Sequence, residues 1–341
     1  MLKLGVSSLK AGVKLGKDIF SYDGKLLLPK GTVVSQEHLD QFARRNIIEV
    51  FVAEADQRQQ SEKRFEDVYS ECLHYTKTLM LQAMIGESIE FGEIQNLVEK
   101  LVVQAYDQND LFRQMRRMKE KDEYLYTHTV NVALLSILIG RWLKCDEKTI
   151  KELGIAGILH DIGNVQIPDS ILNKPGHLTA EEFEEIKKHP ILGYNMVNDY
   201  PWVTEAIANA ILMHHERADG SGYPMGIKGN KIGFYASVVA VADLYDAITS
   251  RRSYSSKASP YTAVEVLWQE SFGRLDPTVA KVFYDKITNF YVGNEVILSN
   301  NERGLVVYVD PSQPTRPIVM VGEKFYNLAE DRALSILDMV D

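Results

Sequence analysis

Apolar helical segments that end in histidine or aspartate place the strongest constraint on how this chain can fold. The pair His160-Asp161 follows the small, apolar run GIAGIL, and the pair His214-His215 follows EAIANAILM. Asp243 lies inside the hydrophobic stretch VVAVADLYDAIT. A buried carboxylate is costly unless it is paired or bound to a metal, so the fold must supply partners for these groups. The small residues before His160 favour close helix packing around them.

A shared metal site explains these residues better than separate roles do. Five histidines lie near acidic residues between positions 121 and 290: His128, His160, His189, His214 and His215. Neutral imidazoles and carboxylates suit iron, manganese or zinc, and no cysteine belongs to the set. Taken singly, each histidine is explained as a satisfied core residue, and Asp243 as a helix cap or a partner of an arginine. The joint pattern, on predicted helices of one domain, favours a metal site.

The other histidines and the cysteines fit ordinary roles. His38 is expected on a surface helix, His74 on an apolar helical stripe and His177 in a loop. Cys72 and Cys145 have no CxxC partner, which argues against a disulfide framework or a zinc finger. Unpaired cysteines favour a reducing cytoplasm.

Hydrophobic periodicity divides the 341 residues into regions of different character. We expect a small α/β domain over 1–56, a helical linker or dimerisation region over 57–120, a helical catalytic domain over 121–290 and a small β-rich region over 291–341. Within the third region, helices are expected at about 123–143, 147–162, 179–188, 202–215, 233–249, 260–271 and 277–288. The expected fold class is therefore mainly α.

Charge and hydropathy exclude several classes of partner. The net charge of −9 argues against broad nonspecific binding to DNA. An anionic substrate is still compatible, because a metal or a few local cations reverse the field inside one cleft. No uncharged run approaches the roughly 18 residues of a membrane helix. The N-terminal stretch MLKLGVSSLKAGVKLGKDIF lacks the apolar core of a signal peptide, so we expect a cytoplasmic protein.

Five motifs, in order, resemble those of the HD-GYP domain family, a branch of the HD superfamily of metal-dependent phosphohydrolases. They are YTHTVNVALLS, AGILHDIGNVQIPDSILNKPG, KKHPILGYNM, LMHHERADGSGYP and VVAVADLYDAITSRRSY. The resemblance implies an HD-type helical bundle over about 121–290. It also implies hydrolysis of the second messenger cyclic di-GMP to pGpG or GMP, or of cyclic GMP-AMP in some members.

The resemblance implies two divalent metal ions, with iron or manganese as the usual metals. One metal would be held by His128, His160, Asp161 and Asp243, and the other by His189, His214 and His215, with Asp161 as the bridge. His160 and Asp161 would thus form the catalytic centre. Members with a third metal carry a glutamate one turn before the first histidine, where this chain has Tyr124. We therefore expect two metals.

The same resemblance suggests substrate contacts. Arg252 is expected to bind a phosphate or a guanine edge, and Asp246 a guanine edge or a metal ligand. Lys174 matches a family position near the substrate, although solvated surface charge explains it equally well. Tyr223, in the Gly220–Pro224 loop, is expected either to contact substrate or to buttress the metal helices. In the family this loop is also linked to signalling-protein partners.

Two family cations are missing from this chain. Asn164 replaces the lysine of the usual HDIGK text, and Ser255 replaces a lysine that often follows the arginine matched by Arg252. Each lost charge-assisted hydrogen bond costs about 1.5–3 kcal/mol, so substrate binding weakens by on the order of a hundredfold or more if nothing compensates. Three hypotheses follow: a cyclic di-GMP phosphodiesterase, a cyclic GMP-AMP phosphodiesterase, or a degenerate module that binds a nucleotide or a protein. Homodimerisation is a further expectation.

Overall fold

A computed structural model provides the three-dimensional structure of the chain. It describes residues 2–6, 9, 11–20, 26–45, 47, 49–52, 54–106, 111–118, 124–250, 259–287, 291–310 and 312–340. Two compact units divide the chain, Met1–Asp67 and Val68–Asp341. Within the described ranges, none of the helices combines the length and apolarity that a bilayer crossing requires.

The first unit is a small α/β structure, as expected. Strand β1 (Leu2–Gly5) pairs antiparallel with β4 (Glu49–Val52), and β2 (Ile19–Phe20) pairs antiparallel with β3 (Leu26–Leu28). Helix α1 (Gln36–Arg44) follows Ser35, whose hydroxyl accepts a hydrogen bond from the backbone N–H of His38. The core of this unit consists of Leu9, Val13, Leu15, Ile19, Val34, Phe42 and Val50.

Helix α2 begins in the first unit and continues into the second, to which α3 and α4 also belong. Their bounds are Glu54–Ile85 for α2, Phe91–Tyr106 for α3 and Leu111–Met118 for α4. Tyr69 of α2 donates a hydrogen bond from its hydroxyl to Asn131 Oδ1, at 2.7 Å. His74 is exposed on α2, so its predicted place on an apolar stripe was wrong.

The helical domain contains α5 to α13. Their bounds are α5 Tyr124–Trp142, α6 Glu147–Leu159, α7 Asp169–Leu172, α8 Ala180–Ile186, α9 His189–Val197, α10 Glu205–Met213, α11 Phe234–Thr249, α12 Pro260–Glu270 and α13 Pro277–Ile287. A 3-10 helix, Ile162–Gln166, follows α6. Helix α5 packs against α6 and α11, and α10 packs against α9 and α11. Residues 127–140 of α5 are all buried, which makes this helix the centre of the domain.

The expected helix over 147–162 ends earlier than predicted. Regular helix stops at Leu159, and Asp161 leaves helical geometry with φ −103° and ψ 11°. Sequence analysis also did not identify α9. Helix packing before this turn is close: a Cβ added to Gly157 would lie 2.5 Å from Ala133 Cα on α5. The small residues before His160 therefore do bring two helices together, as expected.

The C-terminal residues form one antiparallel sheet in the order β8-β7-β6-β5-β9. The strands are β5 Glu295–Leu298, β6 Arg303–Tyr308, β7 Ile318–Val321, β8 Lys324–Asn327 and β9 Ile336–Met339. The first four lie in the apolar segments NEVILS, GLVVYVD, PIVMV and KFYNLA, on which the prediction of a β-rich region rests, and β9 was not predicted. Overall, the expectation of a mainly α fold with a small β-rich C-terminal region is confirmed. The predicted boundaries between the four regions, at residues 56, 120 and 290, and the roles assigned to those regions stay predictions.

Candidate metal centre

The seven side chains predicted as metal ligands meet in the helical domain. They come from five places in the fold: His128 on α5, His160 and Asp161 at the end of α6, His189 at the start of α9, His214 and His215 at the end of α10, and Asp243 on α11. Helix ends and a central helix thus converge on one cluster. We call these seven residues the histidine–aspartate cluster.

Potential ligand atoms in the cluster fall into two groups. One group is Asp161, His189, His214 and His215, and the other is His128, His160 and Asp243. Within each group, one ligand atom per residue lies within 4.8 Å of the others. The spacing suits one cation in each group.

Asp161 faces both groups, one oxygen towards each. Its Oδ1 lies 3.2 Å from His189 Nε2 and 4.0 Å from His214 Nε2. Its Oδ2 lies 3.5 Å from His160 Nε2 and 3.9 Å from His128 Nε2. A carboxylate in this position is able to bridge two cations. Its turn geometry, just past the end of α6, is what lets it reach both.

Asp243 makes a second connection between the groups. Its Oδ1 lies 3.2 Å from His128 Nε2, and its Oδ2 lies 3.7 Å from His215 Nδ1. Both carboxylates of the cluster are thus surrounded by imidazole nitrogens. The buried charge that seemed costly in the sequence therefore has partners.

Backbone carbonyl groups orient three of the histidines in the same way. Each Nδ1 lies 2.8 Å from the carbonyl oxygen three residues earlier: His160 to Gly157, His189 to Ile186 and His214 to Ile211. A carbonyl oxygen only accepts, so each Nδ1 carries the proton and donates it. Each Nε2 then presents a lone pair to the cluster, which is the tautomer that metal binding requires.

His128 is oriented by a side chain instead. Its Nδ1 donates to Asp246 Oδ2 at 2.8 Å, and Asp246 is fully buried. The Ser250 hydroxyl donates to the same carboxylate oxygen at 3.1 Å. The position of Asp246 favours orientation of a metal ligand over contact with a guanine base, the other role considered for it.

Lone pairs that face one another show that the cluster fits cations. His189 Nε2 and His214 Nε2 are 3.3 Å apart, although the protons of both rings are on Nδ1. His160 Nε2 is buried and has no hydrogen-bond partner among the described residues. Such an arrangement is unfavourable on its own and becomes favourable when a cation accepts the lone pairs. The donor set of nitrogen and oxygen suits a divalent metal.

Burial and charge set the protonation states that metal binding needs. Burial lowers the pKa of His214 to about 3, and it holds the pKa values of His189 and His215 below their usual range. Burial alone would raise the pKa values of Asp161 and Asp243. The surrounding imidazoles lower these pKa values by a larger amount, so both end below their usual range. At neutral pH His189, His214 and His215 are therefore neutral, and both carboxylates are ionised.

Tyr223 lies beside the cluster. Its ring stacks on the His215 imidazole, with ring centroids 4.6 Å apart and planes 28° apart. A Cβ on Gly222 would overlap the backbone of His215, Glu216 and Arg217, so only glycine allows the loop to approach this closely. Tyr223 therefore buttresses a candidate ligand, and its side chain is half-buried rather than enclosed.

The remaining predicted substrate contacts differ in position. Lys174 Nζ lies 2.6 and 2.8 Å from the two carboxylate oxygens of Glu182, so it is already paired within the domain. Asn164 is buried in the 3-10 helix next to Asp161. Arg252 and Ser255 lie outside the described residues.

Glu216 is a structural residue that sequence analysis missed. It is buried, and its two carboxylate oxygens accept hydrogen bonds from the backbone N–H groups of Met225, at 2.7 Å, and Ile227, at 2.9 Å. These bonds fix the loop that carries Tyr223. A glutamate directly after His214-His215 was the available signal, because buried acids need partners.

Known proteins support an HD domain in this chain. The sequence pattern of the HD domain family matches residues 112–279. The chain is 36% identical over 230 residues to the cyclic di-GMP phosphodiesterase PA4108 of Pseudomonas aeruginosa, covering 67% of this chain and 55% of that protein. It is 33% identical over 175 residues to the 3'3'-cGAMP-specific phosphodiesterase 1 of Vibrio cholerae, covering 50% of this chain and 40% of that protein.

A solved structure supports the fold. The HDG"Y"P protein Bd1817 of Bdellovibrio bacteriovorus superimposes with a TM-score of 0.52 at 18% identity, covering 84% of this chain and 99% of that one. The chain spans about half the length of the curated relatives it matches. The sequence match over 112–279 and the shared fold confirm the resemblance inferred from the motifs. The stretch 112–279 of this chain is therefore an HD domain.

Proposed function

We propose that this chain is a metal-dependent phosphodiesterase that hydrolyses cyclic di-GMP to pGpG, GMP or both. The observation that carries the proposal is Asp161, whose two oxygens face two separate groups of ligand atoms. A bridged pair of cations suits hydrolysis of a phosphodiester. The relatives named as cyclic di-GMP phosphodiesterases supply the substrate class.

The cluster residues would hold two divalent metals, with iron or manganese as the candidates. His128, His160 and Asp243 would hold one, and His189, His214 and His215 the other, with Asp161 shared. When bound, such a pair supplies a nucleophilic water at neutral pH and neutralises charge on the phosphate oxygens. The absence of cysteine from the donor set agrees with either metal.

Residues of this chain hold the candidate metal-binding histidines in position. The carbonyl oxygens of Gly157, Ile186 and Ile211 hold three imidazoles in one tautomer, so no ring needs to rotate or lose a proton before it binds. Asp246 does the same for His128. Preset ligands lower the reorganisation that the reaction requires.

Product analysis tests this function directly. Protein purified without oxygen and loaded with iron or manganese should convert cyclic di-GMP to pGpG or GMP. His160→Ala and Asp161→Ala should abolish the conversion, because each removes a ligand of the proposed centre. His177→Ala is the matched control, since His177 is an exposed loop histidine. Metal-loaded protein that releases neither product would refute the proposal.

Hydrolysis of cyclic GMP-AMP is a second candidate function. A relative named as specific for 3'3'-cGAMP, 33% identical to this chain, favours it. Asn164, in place of the family's lysine, is a further reason for a different substrate preference. Rates measured side by side on the two cyclic dinucleotides decide between them.

The third candidate is a signalling module without turnover. Its basis is the loss of cations at Asn164 and Ser255. This candidate fails if full turnover is measured and Asn164→Lys changes it little. A cytoplasmic location, a homodimer and partner proteins recognised through the Gly220–Pro224 loop also stay predictions.

A further inference from the structure

Aromatic rings extend from the histidine–aspartate cluster towards the protein surface. The Tyr223 ring stacks on His215. The Phe183 ring lies 6.4 Å from the Tyr223 ring, centroid to centroid, at an interplanar angle of 79°. His189 also contacts Tyr223 edge-on, at 6.3 Å. Phe183 and Tyr223 together form what we call the aromatic corner.

Phe183 is not needed by the hydrophobic core. It is 46% exposed, and no residue of its helix, α8, is buried. Apart from Phe183, α8 consists of alanine, glutamates and one isoleucine, so the phenylalanine is conspicuous on a polar helix. Core packing therefore does not explain this side chain, whereas its contact with Tyr223 relates it to the cluster.

The aromatic corner lies beside the most exposed imidazole of the cluster. His215 has a side chain 19% exposed, whereas those of His128, His160, His189 and His214 are at most 4% exposed. Tyr223 covers His215, and Phe183 borders Tyr223. A ligand that reaches the cluster from solvent near His215 therefore passes these two rings.

Two perpendicular rings suit a flat aromatic ligand. A base stacked on one ring presents its edge to the other, and both arrangements are favourable. Lys187 Nζ lies 5.5 Å from the Phe183 ring centroid, and its charge is paired with the carboxylate of Glu184. The two rings therefore match the purine base of a nucleotide ligand.

We propose that Phe183 and Tyr223 bind one purine base of the substrate while its phosphodiester lies at the histidine–aspartate cluster. The inference rests on the proposed function and extends it, because it assigns base recognition to α8. Stacking of this kind accepts any purine. It therefore supplies affinity for cyclic di-GMP and for cyclic GMP-AMP, and it partly offsets the cations lost at Asn164 and Ser255.

Steady-state kinetics with cyclic di-GMP test the inference. Phe183→Ala should raise KM about tenfold or more, as loss of a stacked base predicts, with kcat within about twofold of the unchanged protein. Phe183→Trp should restore KM, because tryptophan also stacks. Phe325→Ala is the matched control, since Phe325 is an exposed phenylalanine on β8 of the C-terminal sheet; its KM should not change.

Product inhibition separates base stacking from a structural effect. GMP contains a purine, and inorganic phosphate does not. Phe183→Ala should weaken inhibition by GMP and leave inhibition by inorganic phosphate unchanged. Equal weakening of both, or an unchanged KM for cyclic di-GMP, overturns the assignment of Phe183 while leaving the proposed function intact. An unchanged protein that hydrolyses no cyclic dinucleotide overturns the proposed function itself.

Discussion

Individual hydrogen bonds decide what the cluster residues are able to do. Three histidines rely on backbone carbonyl groups, whereas His128 relies on the carboxylate of Asp246. A side-chain carboxylate can be replaced by mutation without moving the backbone, whereas a backbone carbonyl group cannot. Asp246 is therefore the residue at which the orientation of a ligand is tested most cleanly.

Asp246→Asn should weaken metal binding about 10–100-fold, which is typical for loss of a carboxylate that orients a ligating histidine. The asparagine amide can present its N–H to His128 Nδ1 and so favour the wrong tautomer. Competition with a chelator measures the change. Asp285→Asn is the control, because Asp285 is exposed and pairs with Lys281 on α13. Equal metal affinity in both variants would contradict the orienting role.

Residue identities in the cluster were predictable, but their supports were not. His160, Asp161, His214, His215 and Asp243 stood out because they end or interrupt apolar helical runs, and His128 and His189 because they lie near acidic residues in the same predicted domain. The hydrogen bond between His128 and Asp246 spans 118 positions in the sequence and depends on the packing of α5 against α11. No local pattern contains that information. The same holds for Glu216, whose partners lie nine and eleven residues later in an irregular loop.

At the scale of elements, helix starts were predicted better than helix ends. Thr179 and Glu182 form a capping box at the start of α8, and Ser259 caps α12 before Pro260. These signals are local, so sequence shows them. Helix α9 was missed because it is short and its N-cap residue, Lys188, makes no side-chain capping bond. Strand β9 was missed because it is completed only by pairing with β5.

The loop after α10 depends on one buried carboxylate. Glu216→Ala removes the two carboxylate oxygens that accept hydrogen bonds from the backbone N–H groups of Met225 and Ile227. Loss of each charge-assisted hydrogen bond lowers the free energy of unfolding by about 1.5–3 kcal/mol. We expect a lower melting temperature and a larger loss of cyclic di-GMP turnover than Phe325→Ala produces, because Tyr223 loses its fixed position. Glu216→Gln, which keeps one acceptor, should lie between the two. Unchanged melting and turnover in Glu216→Ala would show that the loop does not need this residue.

Two glycine substitutions should have opposite effects on stability. Gly157→Ala places a methyl group against the backbone of Ala133 between α6 and α5, and overpacking of this kind costs about 1–3 kcal/mol. Gly92→Ala, on α3, meets nothing within 4 Å and should stabilise the helix by about 0.5 kcal/mol or more. Urea denaturation of the two variants measures both. A stable Gly157→Ala variant would show that α5 and α6 are able to separate.

At the scale of the whole molecule, the reactivities of the two cysteines show whether the second unit, Val68–Asp341, stays folded. Cys72 is fully buried on α2, and burial raises the pKa of its thiol to about 12. Cys145 is half-buried in the turn after α5, where burial raises its pKa as well. Because thiolate is the reactive form, both exposure and pKa favour Cys145.

Iodoacetamide at pH 8 should modify Cys145 in the native protein and Cys72 only after denaturation. Mass spectrometry of digested protein distinguishes the sites. A raised pKa in the folded state also has a stability consequence: the contribution of Cys72 is present below pH 9 and is lost as pH rises from 9 towards 12. If iodoacetamide modified Cys72 as fast as Cys145 in the native protein, α2 would not stay packed on the helical domain.

As a whole molecule, the protein is proposed to bind two metals and to hydrolyse a cyclic dinucleotide. The most direct test is the rate of cyclic di-GMP hydrolysis as a function of the metal bound per chain, measured by adding iron or manganese to metal-free protein. We predict no turnover without metal and full turnover only as the second equivalent binds, because Asp161 serves both groups. Full turnover in metal-free protein, or none with two metals bound, would contradict the claim.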